Sequence, residues 1–206
     1  VTAGCFTIRA RRFVIATGSS TVIPPIPGLA DVDYLTNETL FDLRSLPQHL
    51  VIIGAGPVGL EMAQAHRRLG AKVTVVDVAR ALAKEDPELA GIVLDRLRGE
   101  GVVIFENSRV RSVEKAATGL RLHCETQTGP VTIDGSALLV ATGKKGNTSG
   151  LGLEAAGIAV TATGIAVDRS LRTQNRRVYA IGDVAGGLQF THAANYHASL
   201  VLREIL

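Results

Sequence analysis

The chain has 206 residues, 46% hydrophobic and 20% charged, with a net charge of +3. It can bury a sizeable core, as one large domain or parts of two, and its composition is that of an ordinary soluble globular protein. No Lys/Arg block is interleaved with aromatics, which argues against nucleic acid as a partner, and the longest near-continuous apolar run, Leu50 to Leu60, is far short of the ~20 residues of a membrane-spanning helix.

The chain opens at Val1 in what reads as the middle of a hairpin, with no signal peptide in view. Residues 5–16 read as a two-strand hairpin, or one strand with a buried apolar end, closed by Thr17-Gly18-Ser19-Ser20. Pro24, Pro25 and Pro27 remove donors and fix φ, so Pro24 to Gly28 reads as a crossover linker. Asn37 to Leu43 predicts a short helical turn that Pro47 ends. Leu50–Ile53 is all apolar, as a parallel strand covered on both faces must be. After a glycine turn, Val58, Met62, Ala65 and Leu69 recur at helical spacing and predict the buried face of a helix, with Gln64, Arg67 and Arg68 outward and Gly70 as its stop.

Lys72–Val76 reads as the next strand. Asp86 as N-cap and Pro87 at the first helical position open a second helix to about Gly99. Val102–Phe105 is a further strand. Arg109–Glu114, Leu120–Glu125 and Val131–Ile133, separated by glycine turns, predict an antiparallel meander. Ala137–Ala141 is another buried strand, closed by Thr142-Gly143. Strands at Ile165–Val167 and Val178–Ile181 and a helix over Ala193–Ile205 complete the chain.

Gly54-x-Gly56-x-x-Gly59 follows a strand and opens a helix, the context in which this spacing binds a dinucleotide. Gly54 allows the tight turn, Gly56 lets backbone approach a pyrophosphate, and Gly59 lets the helix pack on the strand; the phosphates sit at the helix N-terminus. Asp77 ends the next strand, where an acid accepts hydrogen bonds from the adenosine ribose and repels a 2′-phosphate, favouring NADH over NADPH. Arg80 lies nearby and reads as a solvated surface residue. Glu61, taken to lie in the first turn, either complements the helix dipole or stands beside the nicotinamide.

Two Ala-Thr-Gly triplets, Ala16-Thr17-Gly18 and Ala141-Thr142-Gly143, each end an apolar strand, as if two strand ends abut two nucleotides. Asp183 follows a third such strand and is either a ribityl or ribose acceptor or a simple turn residue. The five histidines show no metal-ligand spacing, and no Gly-x-Ser-x-Gly nucleophile motif is present. Cys5 and Cys124 form no local redox pair and no disulfide framework, so a reducing, cytoplasmic setting is expected.

Together the segments FVIATGSS, VIIGAGPVGLEMAQAHRRLGAKVTVVD, LLVATGKKGN and VYAIGDVAGGLQFTHAANYHA resemble the FAD-dependent pyridine nucleotide–disulfide oxidoreductases, in particular the dihydrolipoamide dehydrogenase and mercuric reductase branch. The resemblance spans essentially the whole chain. It implies an α/β fold: a Rossmann-like parallel sheet with an antiparallel β-meander crossover, the NAD domain, over residues 36–142. Partial FAD-domain segments over residues 1–35 and 143–206 flank it.

In that family's pattern Gly54, Ala55, Gly56, Pro57, Val58, Gly59, Leu60 and Glu61 line the NAD pyrophosphate and nicotinamide. Asp77 takes the adenosine ribose, Val110 the adenine side and Gly143 the nicotinamide end. Thr17, Gly18, Ser19, Asp183, Gln189, Phe190, Thr191 and His192 match flavin contacts. The implied reaction is hydride transfer from NADH to FAD and on to a disulfide or thiol-linked acceptor, in a homodimeric parent.

Departures accompany the resemblance. A second Gly-x-Gly-x-x-Gly, the Cys-x4-Cys pair and the C-terminal dimerisation domain with its His-Glu pair are absent from the chain. Gly143-Lys144-Lys145-Gly146-Asn147 replaces the usual Gly-Arg-x-Pro-Asn. The chain therefore reads as an internal fragment, expected to bind NADH, to hold FAD weakly or not at all, and to be inactive alone, with no catalytic residue of its own. The alternatives are a flavin-dependent NADH oxidase or ferredoxin reductase, and a free-standing NAD-binding module.

Overall fold

The computed structural model describes residues 1–206, apart from the side chain of Ala3. The chain forms two compact units: a continuous one, Thr21–Gly143, and a split one made of Val1–Ser20 and Lys144–Leu206. The first break thus falls after Ser20, upstream of the boundary expected after residue 35. The cause is apolar packing: Leu29 and Val32 join a buried cluster with Val51, Val113 and Leu122, and Leu40 joins another with Leu50 and Ile52. The proline-rich stretch is a linker by backbone chemistry, yet Leu29, Val32 and Leu40 beyond it are core.

In the continuous unit Ala137–Val140, His49–Ile53, Lys72–Val76 and Val103–Phe105 form, in that order, a four-stranded all-parallel sheet. Successive side chains of a strand point to opposite faces, and here both faces are covered. Leu50, Ile52, Val73 and Val75 pack with the helix residues Leu60, Ala63, Leu94 and Leu97. Val51, Ile53, Val76 and Val140 pack with Val113, Leu122 and Ile133 of the meander. Each such side chain contributes about 1.5–3 kcal/mol when fully buried.

The meander, Arg109–Lys115, Leu120–Thr126 and Gly129–Gly135, is a three-stranded antiparallel sheet with Leu120–Thr126 in the middle. Leu120, Leu122 and Cys124 point inward, and burial pushes the Cys124 thiol up to about 11. Outward, Arg121 pairs with Asp134 at 2.7 Å and holds that carboxyl below its usual range.

The helix Pro87–Gly99 begins as expected: Asp86 accepts the N–H groups of Glu88 and Leu89 at 2.9 and 3.2 Å, with Pro87 first in the helix. The helix Pro57–Leu69 ends at Gly70, which takes φ 109; of its expected inward residues only Met62 packs against the core. Gly59, Leu60 and Ala63 are buried, whereas Val58 and Leu69 are 40% and 69% exposed and Ala65 is exposed. Arg67 is half-buried and donates to the carbonyls of Glu100 and Ala71. Close approach decides the face. A Cβ on Gly59 would stand 2.0 Å from the Gly54 carbonyl oxygen, so the smallest side of the helix turns inward. Glu100 then joins the two helices, receiving Arg68 and Arg96 at 2.7 Å each, and Arg68 above all holds its carboxyl at about 2.

In the split unit Phe13–Ile15 pairs in parallel with Val178–Ala180. Val178 and Ala180 pack with Leu153, Ile158 and Ile165 on one side. On the other, Tyr179 meets Leu171 and Val201 of the closing helix Thr191–Ile205, under the guanidinium of Arg172. The strand expected at Ile165–Val167 is reduced to a single bridge, Val160 with Ile165. The N-terminal hairpin is a minimal pair, Thr2–Ala3 with Phe6–Thr7. Among the described residues no helix is long and apolar enough to cross a membrane.

Candidate functional sites

In the continuous unit the glycine turn joins His49–Ile53 to Pro57–Leu69, and its three glycines stand in different surroundings. Gly54 takes φ 110, and a Cβ there would meet the Ala141 carbonyl oxygen at 2.4 Å. The carbonyl of Gly54 in turn bars a side chain at Gly59. Gly56 has an ordinary φ of −76, and a Cβ on it would meet nothing within 4 Å. Neither backbone shape nor protein packing requires glycine at Gly56. The position faces open space at a helix N-terminus that carries no side-chain cap, where N–H groups and the dipole favour an anion.

Asp77 follows Lys72–Val76 and reaches back to this turn. Its Oδ2 accepts the Ala55 N–H at 2.6 Å and its Oδ1 the Ala79 N–H at 2.8 Å. Arg80 is exposed. Glu61 is the fifth residue of its helix, beyond the first turn, so the dipole attraction expected for it falls away. It borders a groove of about 190 Å³ with Pro57, Leu60, Gln64, Leu82, Val93 and Leu97. Val58 is exposed beside Pro57, and Leu60 is buried. Val110 is buried at 7% exposure, its side chain packed in the meander-side core, so it offers a neighbouring molecule no side-chain surface.

The two Ala-Thr-Gly triplets are built alike. The Thr142 hydroxyl donates to the Val22 carbonyl at 2.6 Å while the Val22 N–H donates to the Gly143 carbonyl at 2.9 Å. In the split unit the Thr17 hydroxyl donates to the Asn147 carbonyl at 2.8 Å while the Asn147 N–H donates to the Gly18 carbonyl at 2.9 Å. Gly18 and Gly143 take φ 67 and 117, with open space where a Cβ would stand.

The split unit holds a cavity of about 460 Å³ at the carboxyl ends of Phe13–Ile15 and Val178–Ala180, where open α/β sheets bind ligands. Of the expected residues, Gly18, Asp183, Gln189 and Thr191 line it. Ser19 donates to Asp183 Oδ2 at 2.5 Å. Phe190 and His192 instead stack on one another outside the wall, centroids 5.3 Å apart, and Thr17 spends its hydroxyl on Asn147. The wall also contains Lys144, Asn195 and Ala198, which lie within the segments that carry the resemblance but receive no role from it. His197, in the same segment as Asn195, likewise receives no role from the pattern. Its Nδ1 accepts the Gly182 N–H at 3.2 Å, which places the ring proton on Nε2 and steadies the turn carrying Asp183. Among the described residues no three His, Cys, Asp or Glu are grouped to hold a metal.

A parallel sheet with a glycine turn and an antiparallel meander, together with a second unit holding a strand-end cavity, is the mixed α/β architecture of the flavoprotein disulfide reductases. The chain belongs to the pyridine nucleotide-disulphide oxidoreductase family, whose model matches residues 1–198. It is 39% identical over 204 residues to a mercuric reductase of Streptomyces lividans, covering 98% of this chain and 43% of that protein. It is 37% identical over 206 residues to the probable pyridine nucleotide-disulfide oxidoreductase RclA of Escherichia coli, covering 98% and 46%. The solved flavoprotein disulfide reductase RclA matches with a TM-score of 0.88 at 35% identity, over 97% of this chain and 46% of that one. The chain thus spans less than half the length of these relatives.

Proposed function

We propose that the continuous unit is the NAD-binding domain of a flavin-dependent oxidoreductase and that the split unit carries part of its FAD site. The observation that carries the reading is Gly56: a glycine whose backbone and packing do not need one, at an uncapped helix N-terminus, with Asp77 beside it. A pyrophosphate fits that space and receives the helix N–H groups. Asp77 accepts the adenosine ribose hydroxyls and repels a 2′-phosphate, so NADH is preferred. Asp183, Gln189 and Thr191 hold the ribityl side of the flavin, with Ser19 fixing the Asp183 carboxylate.

The flavin, when bound, supplies the acceptor for hydride from NADH. The residues of this chain would hold the NADH pyrophosphate and adenosine ribose and contribute part of the flavin's contacts. Because relatives include mercuric reductases and a disulfide reductase, the onward acceptor is a disulfide or a thiol-bound metal. Titration with NADH and NADPH tests the cofactor assignment: NADH should bind at least about tenfold more tightly, a difference of about 1.4 kcal/mol. Equal binding, or tighter NADPH, rejects it.

A further inference from the structure

Ala55, the residue between the first two glycines, is 1% exposed, so its N–H and C=O both need partners inside the protein. Both come from one segment of the chain. The N–H donates to Asp77 Oδ2 at 2.6 Å, and the carbonyl accepts the Leu82 N–H at 3.0 Å. Leu82 takes φ 51, a left-handed conformation rare for a residue with a side chain.

The segment is itself pinned on its far side. The Asp77 N–H donates to the Phe105 carbonyl, the Ser108 N–H to the Asp77 carbonyl, the Asn107 N–H to the Ala79 carbonyl and the Ala81 N–H to Glu106 Oε1, all at 2.8–3.0 Å. Residues 77–82 therefore form a strap anchored to the end of the strand Val103–Phe105 and the loop after it, and closed on Ala55.

We propose that Asp77 is a positioning residue of the phosphate-binding turn as well as a ribose acceptor: with Leu82 it clasps Ala55 and sets the direction of the N–H groups that follow at Gly56, Val58 and Gly59. This rests on the proposed nucleotide site. The two roles are compatible, because a carboxylate offers about four acceptor positions and the Ala55 and Ala79 N–H groups use two. The consequence is a coupling between cofactor choice and phosphate grip. Replacing Asp77 to admit a 2′-phosphate also loosens the cradle that must hold the pyrophosphate.

Amide hydrogen exchange of the nucleotide-free chain, in native, Asp77→Asn and Asp77→Ala forms, tests the clasp without relying on any ligand. Ala55 should exchange at least about tenfold faster in Asp77→Ala and less so in Asp77→Asn, while Val73 and Val75 stay protected. Binding of inorganic pyrophosphate, which has no ribose, should weaken in the same order. Ala55 exchange within about twofold of native in Asp77→Ala overturns the clasp. So does unchanged pyrophosphate binding alongside weakened NADH. If the native chain binds no NADH yet Ala55 responds to Asp77→Ala, the nucleotide reading fails and the clasp stands.

Discussion

Each unit places an aspartate beyond the carboxyl end of a parallel strand, Asp77 directly after Lys72–Val76 and Asp183 three residues after Val178–Ala180, but the two carboxylates are held differently. Asp77 takes two backbone N–H groups at the carboxyl end of an inner strand of a four-stranded sheet covered on both faces. Asp183 takes a side-chain hydroxyl, Ser19, at the end of a two-stranded pair whose first strand is partly open, with Val14 44% exposed. The difference teaches where rigidity comes from. The glycine turn is set by close main-chain packing and held by one carboxylate, Asp77, on backbone N–H groups, whereas the split unit's cavity is walled largely by side chains of a loop and a helix.

The most severe test of that contrast is in the sheets. Ile52→Ala, at a fully buried position, should cost about 2–5 kcal/mol in urea unfolding, while Val14→Ala should stay within about 0.5 kcal/mol. Similar losses at both sites would erase the distinction. Next comes the cap: Asp86→Ala should cost about 1 kcal/mol, because two N–H groups of the continuous unit lose their acceptor.

Acid offers a smaller and directional effect. Arg68, then Arg96, hold Glu100 at about 2 against an ordinary 4.5. Folding gains from this depressed carboxylate above pH 4.5 and loses that gain as pH falls toward 2. Glu100→Gln should flatten the acid dependence of melting across that window; an unchanged profile would show that the helix pair does not depend on Glu100. The mildest probe leaves stability alone. A thiol reagent at pH 8 should modify exposed Cys5 and spare Cys124, whose buried thiol is raised to about 11, until the chain unfolds. Rapid modification of both in the folded chain would mean that the meander core opens readily.

What the sequence made legible was local. The glycine spacing, the Asp86-Pro87 start and the apolar strands each depend on a few neighbouring residues, and the structure places them as the pattern predicts. The helix face was not legible in this way. Val58, Met62, Ala65 and Leu69 give the stronger apolar stripe, yet Gly59 and Ala63 face the sheet because only small residues allow the backbones to come so close. Lys144 and Asn195 lie within the segments that carry the resemblance, but only folding brings those separate stretches to one cavity, and the bond of His197 to the Gly182 N–H joins residues 15 apart. The clasp of Asp77 on Ala55 spans 22 residues, and no periodicity announces it.

The bonds between Val22 and the Thr142-Gly143 corner have an architectural consequence. The continuous unit starts at Thr21 and finishes at Gly143, and those bonds hold its two ends side by side. To the rest of the chain, a segment of that size whose ends already meet behaves as a short closed loop. Inserting it therefore costs a host fold little closure entropy. Such a unit is topologically self-contained: one pair of neighbouring positions carries it, with its glycine turn and its strap intact.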